Sequence, residues 1–338
     1  MNEKMKAGEP QMSKVLITTV PFGEKNRLPL ELLEASDIEY VINPIGRKLT
    51  EDELAEMVSE FDVLIAGTEP ITDKVMSRAS HLKLISRVGI GLDSVDLLAA
   101  KSRGIKVSYT PDAPAPAVAE LTVGLMLSLL RSIHVANAQL HRGQWVRHFG
   151  RRIPEITIGI IGVGRIGQRV LRRLSSFGTP RVLVNDMHPN ANLVPELKLE
   201  WVDKEEIYKQ ADVISLHVPL TKSTKNMIRA EQLVLMKPDA IIINTARGGI
   251  INEIDLAQSL NSGHLNGAAI DVFDHEPYIG PLAEIERCIL TSHMGSMSID
   301  CRTRMEIEAT EEAVRFLKGV PLQSLAPEEE YDVQRQGL

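Results

Sequence analysis

The run Ile158-Gly159-Ile160-Ile161-Gly162-Val163-Gly164-Arg165-Ile166-Gly167 constrains the fold of this chain more than any other stretch. Apolar, β-prone residues lead directly into G-x-G-x-x-G. A helix-like stretch, Gln168–Leu174, follows. A second apolar run, Arg181–Asn185, then delivers Asp186, about 20 residues past the last glycine. Each glycine meets one steric demand. Gly162 makes the tight turn, Gly164 admits a pyrophosphate to the backbone, and Gly167 lets the helix pack on the strand. The helix N-terminus then stabilises phosphate charge. An acid at the end of the second strand suits a ribose with free hydroxyls. Met187 and His188 come next, with no adjacent Arg for a 2′-phosphate, so the pattern predicts NAD rather than NADP.

The motif begins only at residue 158 of 338, so the preceding residues must build something else, and the length suffices for two domains. Strand-like runs recur on both sides of it. Before it stand Lys14–Val20, Glu39–Ile42, Asp62–Ala66, Leu82–Ser86 and Ile105–Ser108. From it onward stand Ile156–Ile161, Arg181–Asn185, Asp212–His217, Ala240–Asn244, Ala268–Val272 and Ile289–Thr291. Many are continuously apolar, as parallel strands covered on both faces are. Alternation with helices predicts an α/β fold of two Rossmann- or flavodoxin-like doubly wound parallel-sheet domains with a cleft between them. Residues 110–116, with three prolines, read as a stiff linker. Val118–Ile133 is apolar on nearly every side and predicts a helix buried all round, against a partner subunit as well as its own domain. The amphipathic stretch Ser298–Lys318 predicts a last helix that returns to the first domain. The boundaries expected are 13–111 plus 298–325 for a discontinuous substrate domain and 112–297 for an NAD-binding domain, with 1–12 and 326–338 flexible.

Composition excludes several classes. A net charge of −7 and no basic stripe argue against nucleic acid as a partner. Residues 1–12 lack the apolar core of a signal peptide, and 117–130 is too short and too polar to span a bilayer, so no membrane association is expected. Cys288 and Cys301 lack metal-ligand spacing and read as reduced packing residues of a cytoplasmic protein, so no metal site is expected.

Three strand ends carry chemistry. Ile243-Asn244-Thr245-Ala246-Arg247-Gly248-Gly249 presents Arg247, whose planar fork can hold a carboxylate by two bonds. Ala269–Pro277 ends in acids; Asp271 reads as a helix cap or a partner for a cofactor amide, and Glu276 stands before a proline. Ile289–Ser296 places His293 among small residues. Taken singly, each has an ordinary structural explanation. Together they lie at the ends of three successive strands on the edge that carries the glycine loop, a constellation for a carbonyl beside a nicotinamide. His293 would give a proton to the carbonyl oxygen, a neighbouring carboxylate would favour the charged imidazole, and Arg247 would grip the substrate carboxylate.

With these residues in place, the chain resembles the D-isomer-specific 2-hydroxyacid dehydrogenase family over about residues 14–322. Its nearest likeness is to D-3-phosphoglycerate dehydrogenase-like members lacking the C-terminal regulatory domain. The matching stretches are Arg87–Asp96, Ala119–Gly124, the glycine loop, Leu216–Thr221, Asn244–Gly249, Gly267–Phe273 with His275-Glu276-Pro277, and Ser292–Gly295. The resemblance implies a catalytic trio of Arg247, Glu276 and His293. It implies that the substrate carboxylate is held by backbone N–H groups around Val88 and Gly89, with Arg87 nearby. It implies NAD contacts at Ile90, Gly162, Gly164, Arg165, Ile166, Gly167, Asp186, His217, Val218, Pro219, Thr224, Thr245, Ala246, Asp271 and Gly295. It also implies a homodimer formed through the NAD-binding domain.

Departures from the family pattern bear on substrate. Ser292 stands where a Pro usually precedes the histidine, and Ala66-Gly67-Thr68-Glu69-Pro70 lacks an Arg that some phosphoglycerate enzymes carry. Arg142, Arg147, His148, Arg151 and Arg152 cluster after the long helix and are candidates for a second anionic group, against the plainer reading of a solvated basic loop. The expected activity is hydride transfer between NAD and C2 of a small dianionic 2-oxo acid, 3-phosphoglycerate-like or phosphonopyruvate-like. Glyoxylate or hydroxypyruvate is the alternative substrate class. An NAD-sensing protein of the C-terminal-binding-protein corepressor type is the alternative function, since that group shares the scaffold.

Overall fold

A computed structural model describes residues 13–190 and 193–336 and divides the chain into two units. The first runs to Pro114 and resumes at Ile299; the second is Ala115–Ser298.

The first unit is built on five short strands: β1 Lys14–Ile17, β2 Glu39–Ile42, β3 Val63–Ala66, β4 Leu84–Arg87 and β5 Lys106–Ser108. All pair in parallel, in the order β2-β1-β3-β4-β5. β3 and β4 are buried at every position, as central strands are when helices cover both faces; β3 is apolar throughout, while β4 also buries Ser86 and Arg87. One covering helix is Ile299–Leu317, which comes from the far end of the chain. Ser86 Oγ in β4 donates to Ala309 O on that helix (2.8 Å). Glu312, almost fully buried, accepts the N–H groups of Gln323 and Ser324 and so turns the chain back toward the sheet.

The expectation that 326–338 is flexible requires correction over most of its length. Glu328–Arg335 is a helix, while 337–338, like 1–12, lies outside the described residues. Its first turn holds Glu328, Glu329 and Glu330, which favours the helix dipole. Lys101 pairs with Glu328 and lies over the Tyr331 ring, and Gln334 bonds both Leu97 N and Val95 O. A polar, acidic composition concealed these specific tethers.

The second unit has seven parallel strands: β6 Thr157–Ile161, β7 Arg181–Asn185, β8 Leu199–Trp201, β9 Val213–Leu216, β10 Ile241–Asn244, β11 Gly267–Ile270 and β12 Cys288–Leu290. Their order is β12-β11-β10-β9-β6-β7-β8, the dinucleotide-binding order with one further strand at the edge. Sequence reading did not anticipate β8, whose three half-buried residues carry no apolar run.

The long helix is Ala115–Leu130, with Pro116 in its first turn, where a missing N–H costs nothing. It is buried at nine of its positions but exposes Glu120 and Gly124, so it is not apolar all round. It stops before Ile133: Ser132 takes a left-handed conformation (φ 50°), and Ile133–His141 departs at 64°. Among the described residues no single helix is long and apolar enough to cross a membrane.

Candidate active site

In the second unit, the strand order reverses between β6 and β9, where doubly wound sheets bind dinucleotides. The glycine turn lies there. Gly162 has φ 93°, and a Cβ on it would come within 2.6 Å of the His217 carbonyl carbon. A Cβ on Gly167 would lie 2.1 Å from Gly162 O, so the helix can approach the turn only with glycine there. The Cβ position of Gly164, in contrast, faces open space. Gly164 is also the N-cap of the helix Arg165–Leu174 and provides no side-chain cap, so the N–H groups of that terminus face outward unblocked. This cradle fits a pyrophosphate. Asp186 directly follows β7, its Oδ2 accepting Val163 N–H (2.7 Å) and its Oδ1 His188 N–H (2.9 Å), so the acid also braces the turn.

Other residues implicated in NAD contacts have structural partners of their own. Thr224 Oγ1 accepts Thr221 N–H and donates to Pro219 O (2.6 Å), closing the loop after β9. Thr245 is buried and shares a 2.8 Å hydrogen bond with Thr122 of the long helix. Ala246 is buried, while Val218 and Ile166 are half-buried and Pro219 and Arg165 exposed. His217 pairs through Nε2 with Ser215 Oγ (2.9 Å); its Nδ1 is buried without a partner, and burial pushes its pKa down to about 4.

The trio stands on one edge of this sheet. Arg247 follows β10 in a loop braced by Asn244, whose Nδ2 donates to Arg247 O (2.8 Å) and whose Oδ1 accepts Ala246 N–H (3.1 Å). The guanidinium donates to Ala246 O (2.7 Å). Glu276 follows β11, its carboxylate accepting Phe273 N–H, while Phe273 and Tyr278 stack at 4.2 Å across the loop. His293 follows β12, and its Nδ1 lies 2.9 Å from Glu276 Oε2 and 3.1 Å from Oε1. Nδ1–H bonded to a carboxylate leaves Nε2 for proton transfer.

His293 holds a left-handed backbone (φ 49°), costly for a residue with a Cβ. Asp271 offsets that cost. It is 1% exposed; its Oδ1 accepts Thr291 Oγ1–H (2.6 Å) and Met294 N–H (2.9 Å), its Oδ2 accepts Gly295 N–H (2.9 Å), and its backbone O accepts His293 N–H (2.8 Å). Burial raises the pKa of this carboxyl, and these bonds together with His293 oppose the rise. Thr291 and Asn244 were not singled out from sequence. The signal was present as a polar residue at the end of each buried strand.

In the first unit, Arg87 is buried at the end of β4, and its guanidinium turns back on Val88 O (2.7 Å). Val88 N–H bonds Ala66 O and Gly89 N–H bonds Thr110 Oγ1 (both 2.8 Å). The next two amides of that turn, Ile90 and Gly91, donate to no group among the described residues. The basic segment of the second unit is largely engaged within it. Arg142 pairs with Glu286, Arg151 with Asp212, Arg152 with Glu155, and His148 with Gln139.

Residues 123–295 match the D-isomer specific 2-hydroxyacid dehydrogenase, NAD binding domain, family. The chain is 39% identical over 314 residues to D-3-phosphoglycerate dehydrogenase of Methanocaldococcus jannaschii, covering 91% of this chain and 58% of that protein. It is 39% identical over 279 residues to hydroxypyruvate reductase of Thermotoga maritima, covering 80% of this chain and 89% of that one. D-lactate dehydrogenase of Aquifex aeolicus, solved with NAD and lactic acid, superposes with a TM-score of 0.81 at 27% identity, over 90% of this chain and 96% of the other. These relatives are named for turnover and none for sensing, which leaves the corepressor alternative without support. Fold and site define an NAD-dependent oxidoreductase of 2-hydroxy acids. The chain belongs to the D-isomer specific 2-hydroxyacid dehydrogenase family.

Proposed function

We propose that the protein reduces a small monoanionic 2-oxo acid of the hydroxypyruvate or glyoxylate class to the D-2-hydroxy acid. The observation that carries the chemistry is the His293–Glu276 pair on the sheet edge that also bears Arg247 and the open glycine turn. When bound in that turn, NADH supplies the hydride received at C2 of the oxo acid. His293 gives a proton from Nε2 to the carbonyl oxygen while Glu276 holds Nδ1–H and stabilises the imidazolium before transfer. Arg247 orients the substrate carboxylate and polarises the carbonyl. Asp186 receives the adenosine ribose hydroxyls, and the N-terminus of Arg165–Leu174 the pyrophosphate.

The choice of a monoanionic substrate is supported by the ion pairs that Arg142, Arg151 and Arg152 form with acids of their own unit, which leaves Arg147 as the one arginine of that cluster without an ion pair among the described residues. The protein acts as a homodimer through its second unit. Support comes from the segment after Ile133–His141, where Trp145 is 83% exposed and Phe149 fully so, an unusual display for a monomer. A cytoplasmic setting is supported by sparse cysteine usage: the chain has two cysteines, Cys288 and Cys301, and both are buried packing residues. NADH oxidation with glyoxylate, hydroxypyruvate, pyruvate, phosphonopyruvate and 3-phosphohydroxypyruvate tests the reading. The highest kcat/KM is expected for glyoxylate or hydroxypyruvate; a phosphorylated or phosphonylated acid at the top refutes the substrate class.

A further inference from the structure

Strand order in the first unit reverses between β1 and β3, and open α/β sheets bind ligands outside the strand ends at such a reversal. The residues there are Thr18 and Thr19 after β1, and Gly67 and Glu69 after β3. Glu69 is 1% exposed. Its Oε1 accepts Gly67 N–H (3.0 Å) and the Thr18 hydroxyl. Its Oε2 accepts no hydrogen bond from the described residues, and none of them forms an ion pair with the carboxylate. The nearby Arg302 is engaged elsewhere: Nε donates to Glu306 (2.6 Å), and Nη2 to Thr19 Oγ1 (2.8 Å) and Pro21 O (2.7 Å). A buried carboxylate with no cation and one idle oxygen is costly. The chain even omits a side chain to seat it, since a Cβ on Gly67 would lie 2.8 Å from Oε2 and 3.1 Å from Thr19 Cβ.

We propose that Glu69 is a specificity-determining residue whose Oε2 accepts a hydrogen bond from a neutral hydroxyl on C3 of the substrate and repels a phosphate in its place. The inference deepens the function proposed above and rests on it. β3, which precedes Glu69, is the direct neighbour of β4, whose following turn offers the amides of Ile90 and Gly91 to a carboxylate. One strand spacing, about 4.8 Å, is within the reach of a three-carbon acid. A carboxylate held after β4 therefore brings C3 toward the end of β3. A hydroxyl there completes the acceptor, a methyl leaves it unsatisfied, and a phosphate meets a like charge.

Glu69→Gln tests this. The amide oxygen can keep Gly67 and Thr18, while its –NH2 stands where Oε2 stood and turns an acceptor into a donor. Steady-state kinetics with hydroxypyruvate, pyruvate, 3-phosphohydroxypyruvate and glyoxylate give the readout, and NADH binding by fluorescence checks folding. The hydroxypyruvate-to-pyruvate ratio of kcat/KM is expected to fall about 10-fold or more, the value of a hydrogen bond to a charged group. Phosphohydroxypyruvate should gain relative to hydroxypyruvate, and glyoxylate, which has no C3, should hold its rate. A uniform loss on all four acids, or unchanged ratios, overturns the assignment and leaves Glu69 a loop brace. Failure of the wild type to reduce any of the four, glyoxylate included, instead overturns the reading of function itself.

Discussion

Replacing Asp271 by Asn removes one charge and almost no volume, yet it should disable the histidine without touching it. Three side-chain hydrogen bonds converge on this carboxylate, from Thr291, Met294 N–H and Gly295 N–H. An amide has one accepting oxygen. If that oxygen keeps Thr291 and Met294, the –NH2 group opposes Gly295 N–H. One bond to a charged acceptor is lost, and a buried N–H is left unsatisfied, together about 3 kcal/mol. Asp271 is 1% exposed, so solvent gives little relief. The released energy acts on a loop already carrying about 1–2 kcal/mol of left-handed strain at His293. Relaxation moves the imidazole off Glu276, and about 3 kcal/mol corresponds to a loss of about 10²-fold in kcat, the scale expected of a misplacement near 1 Å. Stopped-flow hydride transfer with NADH and the best 2-oxo acid, alongside NADH binding, separates the possibilities. A large fall in the hydride-transfer rate with NADH affinity within about threefold supports the clamp. A loss confined to NADH affinity would refute it and leave Asp271 a cofactor contact alone.

Asp186→Ala should lower the NADH-to-NADPH ratio of kcat/KM at least about 10-fold, the value of a hydrogen bond to a charged acceptor; unaltered discrimination removes Asp186 from the ribose site. His217 predicts an acid-sensitive fold. Its ordinary pKa of 6.5 is pushed down to about 4 in the native state by burial. Its contribution is therefore intact above pH 6.5 and lost as the pH falls to 4, when the unfolded chain holds a proton the native one does not, up to about 3 kcal/mol. Urea unfolding of His217→Gln across that range should show a shallower pH slope than the wild type, and parallel slopes would count against it. Trp145→Ser with Phe149→Ser should shift the protein toward monomer in sedimentation velocity at micromolar concentration; an unmoved boundary removes that segment from the interface.

The legible parts of the sequence were those where local pattern and tertiary role coincide. The buried strand β3 is an unbroken apolar run, β9 and β10 are apolar apart from Ser215 and Asn244, and the glycine turn states its own geometry. The trio was legible because each member follows such a run. The clamp on His293 was not, because it joins Asp271 to Thr291 and to amides 294 and 295 across a gap of some 20 residues, and no periodicity spans that gap. The helix Glu328–Arg335 was misread for a related reason: its stability lies in Lys101, Leu97 and Val95, more than 200 positions earlier. Arg142, Arg151 and Arg152 looked like a basic cluster, and only the fold reveals the acids that neutralise them.

The helix Ile299–Leu317 belongs to a sheet whose five strands were complete by Ser108. During synthesis, those strands leave the ribosome first and must wait while the whole of Ala115–Ser298 is added. At about 5–20 residues per second that delay is about 10–40 s. Through it, Ser86 lacks Ala309 and an apolar face has no cover. The contiguous unit, begun later, can finish earlier. The vulnerable species in a cell is therefore a nascent chain with a mature nucleotide-binding fold behind an exposed parallel sheet. A holdase chaperone would find its client there, before the covering helix Ile299–Leu317 has been made.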